Sequence, residues 1–230
     1  MTKKITQEEA YRLGTDYQFV DSVDLGPWTS YSLIHDPKHM GFVLARYKFC
    51  AKMFDGMDKA IEVGCGDAFG TPIVAQHVKE VLAIEPDGRH IESNTKRLGK
   101  HLKNVRFRQG AIQDLKLPPA SFDAAYSIDV IEHILKKDED AYMRHIAASL
   151  GAKGVFIVGT PTIQSQTYAS PGSKEGHVNC KDHQGLKELM GRYFTDVFIF
   201  SMNDEVVHTG FYPMAHYLFA IGAGKKTGGP

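Results

Sequence analysis

Lys59-Ala-Ile-Glu-Val-Gly-Cys-Gly-Asp-Ala-Phe-Gly-Thr71 decides the fold. Ala60, Ile61 and Val63 read as a short buried strand, too apolar and too brief for a helix. Gly64 and Gly66 break that pattern, and Pro72, Ile73, Val74 and Ala75 begin a helix. A strand, a glycine turn and a helix in that order make a backbone cradle. Glycine lets main chain approach a ligand closely, and a helix start offers unpaired N–H groups. Glu62 lies inside the strand's end, so a simple polyphosphate is a poor partner for this cradle.

Outward from this stretch, strands and helices alternate. Glu80 to Ile84 reads as a second strand ending at Glu85-Pro86-Asp87, and Ile91, Leu98 and Leu102 mark the helix after it. Val105–Gln109 and Phe122–Ile128 read as strands three and four, Glu139–Leu150 as a helix, and Gly154–Val158 as strand five. This alternation predicts an α/β fold, a doubly wound and mostly parallel sheet covered on both faces. Asp182–Tyr193 is a helix with Leu186, Leu189, Met190 and Tyr193 on one side. Asp196–Met202 and Ala215–Ile221 then read as an antiparallel hairpin at the sheet edge, for seven strands in all. On the N-terminal side Ile5–Leu13 and Gly41–Phe54 read as helices. Trp28 to Pro37, aromatic and hydroxyl-rich without a period, reads as an irregular lid, and Pro161–Val178 as a long loop. The expected division is an arm or lid over 1–40, one catalytic domain over 41–222 and a disordered glycine-rich tail over 223–230.

The bulk properties exclude several classes. A chain of 230 residues holds one domain with a sizeable core. Lys plus Arg and Asp plus Glu balance at 27 each, which removes any global electrostatic case for nucleic acid or an anionic membrane. Cys50, Cys65 and Cys180 are widely spaced and make no CxxC, as expected of reduced thiols in the cytoplasm. No apolar core follows Lys3 and Lys4 as in a secretory signal, and no apolar run reaches the roughly 18 residues of a membrane span.

The glycine turn fits two ligand classes poorly. A dinucleotide site wants GxGxxG, but Phe69 stands where the third glycine belongs. A Walker A loop needs a terminal Gly-Lys-Ser/Thr, which is absent. Glu85 is the stronger signal. It ends the second strand 19 residues after Gly66, where a carboxylate accepts hydrogen bonds from vicinal ribose hydroxyls.

These residues together resemble the class I S-adenosylmethionine-dependent methyltransferases, in the small-molecule branch, over about residues 42–222. Ile61-Glu-Val-Gly-Cys-Gly-Asp-Ala68 resembles their first motif and Val81-Leu-Ala-Ile-Glu85 their second. Arg108-Gln-Gly-Ala-Ile-Gln-Asp-Leu115 with Ser121-Phe-Asp123 resembles the adenine-side segment. Ser127-Ile-Asp-Val-Ile-Glu-His-Ile134 resembles the segment after strand four, and Val158-Gly-Thr-Pro161 the end of strand five. Ala45-Arg-Tyr-Lys-Phe-Cys-Ala51 resembles a helix whose arginine pairs with the cofactor carboxylate in one branch. The resemblance implies S-adenosylmethionine as cofactor, contacted by Arg46, Glu62, Gly64, Cys65, Gly66, Glu85, Pro86, Ala111, Ile112, Ser127 and Asp129. Backbone N–H groups of Gly64 and Gly66 are expected at its carboxylate, Glu62 at its amine and Glu85 at its ribose. The chain departs from the pattern at Ala68, in place of a third glycine, and at Ala111, in place of the acid that often binds the adenine amino group.

The acceptor side is read from the histidines. Transfer to oxygen needs a proton removed, and a histidine near neutral pH is the usual base. His133, accompanied by Asp129 and Glu132, and His177, in Gly176-His-Val-Asn179, are the candidates, with Asp129 as an accompanying catalytic acid. Glu132, His133 and His177 could converge, but no HxH or HExxH spacing exists, so no metal is expected. The Asn/Asp-Pro-Pro-Tyr/Phe signature of amino-directed nucleic acid methyltransferases is absent after strand four. The resulting expectation is O-methylation of a small polar acceptor such as a sugar or sugar-containing metabolite, by a protein that could form a homodimer. The alternatives are N-methylation of a small molecule and a cofactor-binding module without transfer activity.

Overall fold

The computed structural model describes residues 4–15 and 22–226. One eight-stranded sheet organises them in the order β3-β2-β1-β4-β5-β8-β6-β7. Strands β1 (Lys59–Val63), β2 (Glu80–Glu85), β3 (Val105–Gln109), β4 (Phe122–Ile128) and β5 (Leu150–Pro161) run parallel. Strand β8 (Tyr217–Lys225) lies antiparallel between β5 and β6 (Phe194–Asn203), and the short β7 (Val206–His208) forms the edge. The expected α/β sheet is present, parallel for its first five strands, with antiparallel strands at its C-terminal end. Two details differ. The strands number eight among the described residues, and the hairpin partner β8 is interior, because the long β5 and β6 both pair along it.

Both faces of the sheet are covered. Helices α3 (Pro37–Met53), α4 (Thr71–Ala75) and α5 (Gly88–Leu98) supply Tyr47, Cys50, Ala51, Val74 and Leu98 to one core. Helices α6 (Glu139–Ser149) and α8 (His183–Tyr193) supply Tyr142, Met143, Ile146, Leu186 and Met190 to the other. Four of the five β1 residues are buried, Ala60, Ile61 and Val63 with Glu62, as befits a strand with helices on both sides. Asp182 caps α8 by accepting the Gly185 N–H at 2.7 Å.

Two segments expected to be irregular are partly helical. Helix α1 (Gln7–Thr15) precedes α2 (Pro27–His35), so most of Trp28–Pro37 is helix. The segment 161–178 holds a 3-10 turn over Gln164–Tyr168 and the short α7 (Pro171–Gly176). The expected boundary at residue 40 falls inside α3, and β8 continues to Lys225, three residues into the expected tail. The rest of that tail, 227–230, lies outside the described residues, as do 1–3 and 16–21. Among the described residues, no helix is long and apolar enough to cross a membrane.

Candidate active site

Strand order reverses between β1 and β4, and in open α/β sheets ligands bind in the crevice beyond the carboxyl ends at such a point. The turns after β1 and β4 pack directly on each other there. Gly64 has φ 82°, and a Cβ on it would lie 2.4 Å from Val130 Cγ2, so both conformation and space require glycine. Gly66 has φ 49°, and its missing side chain leaves room for the Trp28 ring.

A cavity of about 650 Å³ opens over these turns, lined by Gly64, Cys65, Gly66, Glu85, Pro86 and Asp129, with His133 at its wall. Seven sequence-expected residues therefore meet in one place. Glu85 accepts the Gly66 N–H and the Asp87 N–H, each at 3.2 Å. A carboxylate has about four acceptor sites, so capacity remains for a pair of ligand hydroxyls.

The other expected cofactor contacts sit behind the cavity wall. Glu62 is 1% exposed, and its Oε2 accepts from Thr71 Oγ1 at 2.7 Å and Tyr126 OH at 2.9 Å. Burial first, and then the charge of Glu85, push its pKa up to about 7 against these bonds. Ser127 is fully buried and accepts the Tyr142 hydroxyl at 2.6 Å. Ile112 belongs to the core, and the Ala111 carbonyl accepts the Asp114 N–H at 3.0 Å. None of these four side chains lines the cavity. The expected backbone donors are also engaged: Gly64 N–H donates to the Ile84 carbonyl at 2.9 Å and Gly66 N–H to Glu85. The turn thus offers a ligand close approach rather than those two N–H groups.

Arg46, on α3, donates to Asp129 Oδ2 at 2.7 Å, and its guanidinium lies 3.9 Å from the centre of the Tyr217 ring. Asp129 follows β4 in a left-handed conformation, φ 57°, which aspartate tolerates better than most residues. This ion pair is a partition. Asp129 lines the first cavity, while Arg46 and Tyr217 line a second one of about 430 Å³ with Phe42, Gln166, Tyr168 and His216. Arg46 Nε and Tyr217 OH have no partner among the described residues.

The two candidate histidines face opposite sides of this partition, His133 in the first cavity and His177 in the second. Their rings meet edge to face with centroids 5.1 Å apart. Burial lowers the pKa of His177, and the nearby His133 lowers it further. Beside them Glu132 is buried, and burial followed by the charge of Asp129 raises its carboxyl to about 8.

The sequence reading missed the roof of the first cavity. Asp67 Oδ2 accepts the Thr29 N–H at 2.8 Å, and its Oδ1 accepts from His90 Nδ1 at 2.9 Å. Asp67 thereby caps α2, which has no side-chain cap of its own. Trp28 packs against His90 with ring centroids 4.2 Å apart and the planes tilted by 52°. Asn94 donates to the Gly66 carbonyl at 2.7 Å, and Arg97 to the Asp67 carbonyl at 2.9 Å. The available signal was Gly26-Pro27, a helix start with proline in its first turn. The aromatic N-terminal segment therefore belongs to the cavity at the glycine turn, and the second cavity draws instead on residues 161–169 and the C-terminal strands.

Residues 61–158 match the model of the methyltransferase-domain family. A protein of Mycobacterium tuberculosis named as a probable S-adenosylmethionine-dependent methyltransferase is 30% identical over 101 residues, which cover 44% of this chain and 35% of the relative. The ubiquinone biosynthesis O-methyltransferase of Methylocella silvestris is 26% identical over 133 residues, 57% of this chain and 51% of that protein. The chain thus spans a third to a half of the length of these relatives. Among solved structures, a SAM-dependent methyltransferase of Thermotoga maritima superposes with TM-score 0.64 at 19% identity, over 86% of this chain and 94% of that one. One from Aquifex aeolicus gives 0.62 at 13%, over 87% and 98%. These two likenesses concern the fold.

Proposed function

We propose that this chain is a class I S-adenosylmethionine-dependent methyltransferase and that it methylates an oxygen of a small polar acceptor. The residues at the first cavity fit the cofactor: a glycine turn that admits no Cβ, a carboxylate at the ribose position with acceptor capacity left, and a volume within the usual range for a ligand site. When bound, S-adenosylmethionine supplies an electrophilic methyl on sulfonium; the oxygen–carbon bond forms as the carbon–sulfur bond breaks, and that electron pair stays on sulfur.

The observation that carries the reading is the second cavity, which meets the first at Arg46–Asp129 with one histidine on each side. Tyr168 and Phe42 offer apolar faces, while Gln166 and His216 offer hydrogen bonds. That mixture suits a sugar or another hydroxyl-bearing metabolite, for which alignment against the methyl is a large part of catalysis. In this reading Asp129 holds Arg46 in place, and the imidazoles of His133 and His177 stand where the acceptor's proton leaves. Reduced thiols accord with work in the cytoplasm.

The test is calorimetry with S-adenosylhomocysteine, followed by turnover on a panel of sugars, catechols and amines. Binding of S-adenosylhomocysteine with methylation confined to hydroxyl acceptors is the expected result. Methylation of amines alone would move the acceptor atom to nitrogen. Binding without turnover on any acceptor would favour a module that holds the cofactor without transferring from it.

A further inference from the structure

Glu132, His133 and His177 come from two segments far apart in sequence, the turn after β4 and the loop before α8. One ligand atom of each lies within 4.8 Å of the others. The Asn179 N–H donates to the Glu132 carbonyl at 2.9 Å and ties the loop to the turn.

Each of the three side chains is held by a second partner. His133 Nδ1 donates to the Gly176 carbonyl at 2.9 Å. His177 Nδ1 donates to Gln166 Oε1 at 2.8 Å, and the Gln166 amide nitrogen donates to the Thr162 carbonyl at 3.1 Å, which fixes the sense of that amide. A ring whose Nδ1 carries the proton keeps a lone pair on Nε2. Glu132 Oε2 accepts from Thr160 Oγ1 at 3.0 Å. A single general base would need one imidazole. Two imidazoles, oriented by oxygen acceptors and converging with a buried carboxyl group, are the arrangement that metal ligands show, outer hydrogen bonds included.

We infer that Glu132, His133 and His177 bind a divalent cation of borderline hardness, such as Mn²⁺ or Zn²⁺, where the two cavities meet. Donors at 2.0–2.2 Å from an ion lie up to about 4.3 Å apart across it, so small side-chain rotations close the site. Three protein ligands leave positions open for substrate oxygens. This deepens the reading above and rests on it: the acceptor is a molecule with two adjacent oxygens that chelate the ion. A hydroxyl coordinated there releases its proton to water at neutral pH, and its oxygen keeps the electron pair that forms the new bond to carbon. With the ion bound, the two histidines serve the departing proton through the ion instead of accepting it themselves.

The test titrates Mn²⁺ into the untagged, chelator-treated full chain and follows its paramagnetic resonance signal, with Zn²⁺ as competitor. One Mn²⁺ per chain is expected, displaced by Zn²⁺. His177→Ala should weaken binding at least 100-fold while leaving S-adenosylhomocysteine affinity unchanged, which also shows that the variant folds. Gln166→Leu leaves all three ligands in place and should weaken Mn²⁺ about 10- to 100-fold. His101→Ala, at an exposed histidine elsewhere, should change nothing. A wild-type chain that takes up S-adenosylhomocysteine but no Mn²⁺, or undiminished Mn²⁺ uptake by His177→Ala, overturns the site. Loss of S-adenosylhomocysteine binding in the wild type would overturn the transferase reading instead.

Discussion

Glu85 and Glu62 are two carboxylates at the ends of neighbouring strands with opposite circumstances. Glu85 faces the cavity with acceptor capacity to spare. Its hydrogen bonds to ligand hydroxyls would be charge-assisted, worth about 1.5–3 kcal/mol. Glu85→Ala should therefore weaken S-adenosylhomocysteine binding about 10- to 100-fold by calorimetry, and wild-type affinity would remove its ribose role. Glu62 is sealed in, its Oε1 has no hydrogen-bond partner among the described residues, and burial pushes its pKa up to about 7. Below about pH 4.5 its proton is bound in both folded and unfolded chains. Between about 4.5 and 7 the unfolded chain releases the proton while the folded chain keeps it, so this group's contribution falls as pH rises, by roughly 3 kcal/mol in total. Glu62→Gln has no such proton. Urea unfolding at pH 5 and pH 7.5 should show the wild type losing stability relative to the variant; parallel profiles would mean that Glu62 is ionised throughout. Spacing alone made Glu85 legible, because its place at a strand end follows from the count after the glycine turn. It could not reveal that Glu62 turns to Thr71 and Tyr126, since Tyr126 lies 64 residues downstream.

At the scale of elements, helix α2 shows why a lid can be guessed and its helix missed. Trp28, Tyr31 and Ile34 are all more than half exposed, so no apolar stripe marks the helix. Its start is fixed by Pro27 and by Asp67, a cap donated from 38 residues away in sequence. Removing such a cap costs about 1 kcal/mol. Asp67→Ala should accordingly speed hydrogen exchange across residues 30–35 about fivefold and shift the emission of Trp28, the only tryptophan in the chain. Exchange at the wild-type rate would mean that α2 is held by contacts other than Asp67. The strands fared better than α2 in the sequence because burial on both faces wrote them as apolar runs bounded by glycine, proline and acids.

At the scale of the molecule, alternation of strand and helix disclosed the parallel half of the sheet and its switch point. The place of β8 was hidden, because insertion between β5 and β6 is settled by pairings from Phe156↔Gly222 to Pro161↔Tyr217 that no local pattern encodes. That placement brings Tyr217 under Arg46 and completes the wall between the two cavities. With one reactant on either side, as proposed above, such a wall would give each its own doorway, and neither would have to arrive or depart first. Initial-rate kinetics should then be random in order: a dead-end acceptor analogue should inhibit noncompetitively against S-adenosylmethionine, whereas an uncompetitive pattern would reveal a compulsory sequence. The Arg46–Asp129 pair would thus set the traffic of the catalytic cycle as well as the shape of its chambers.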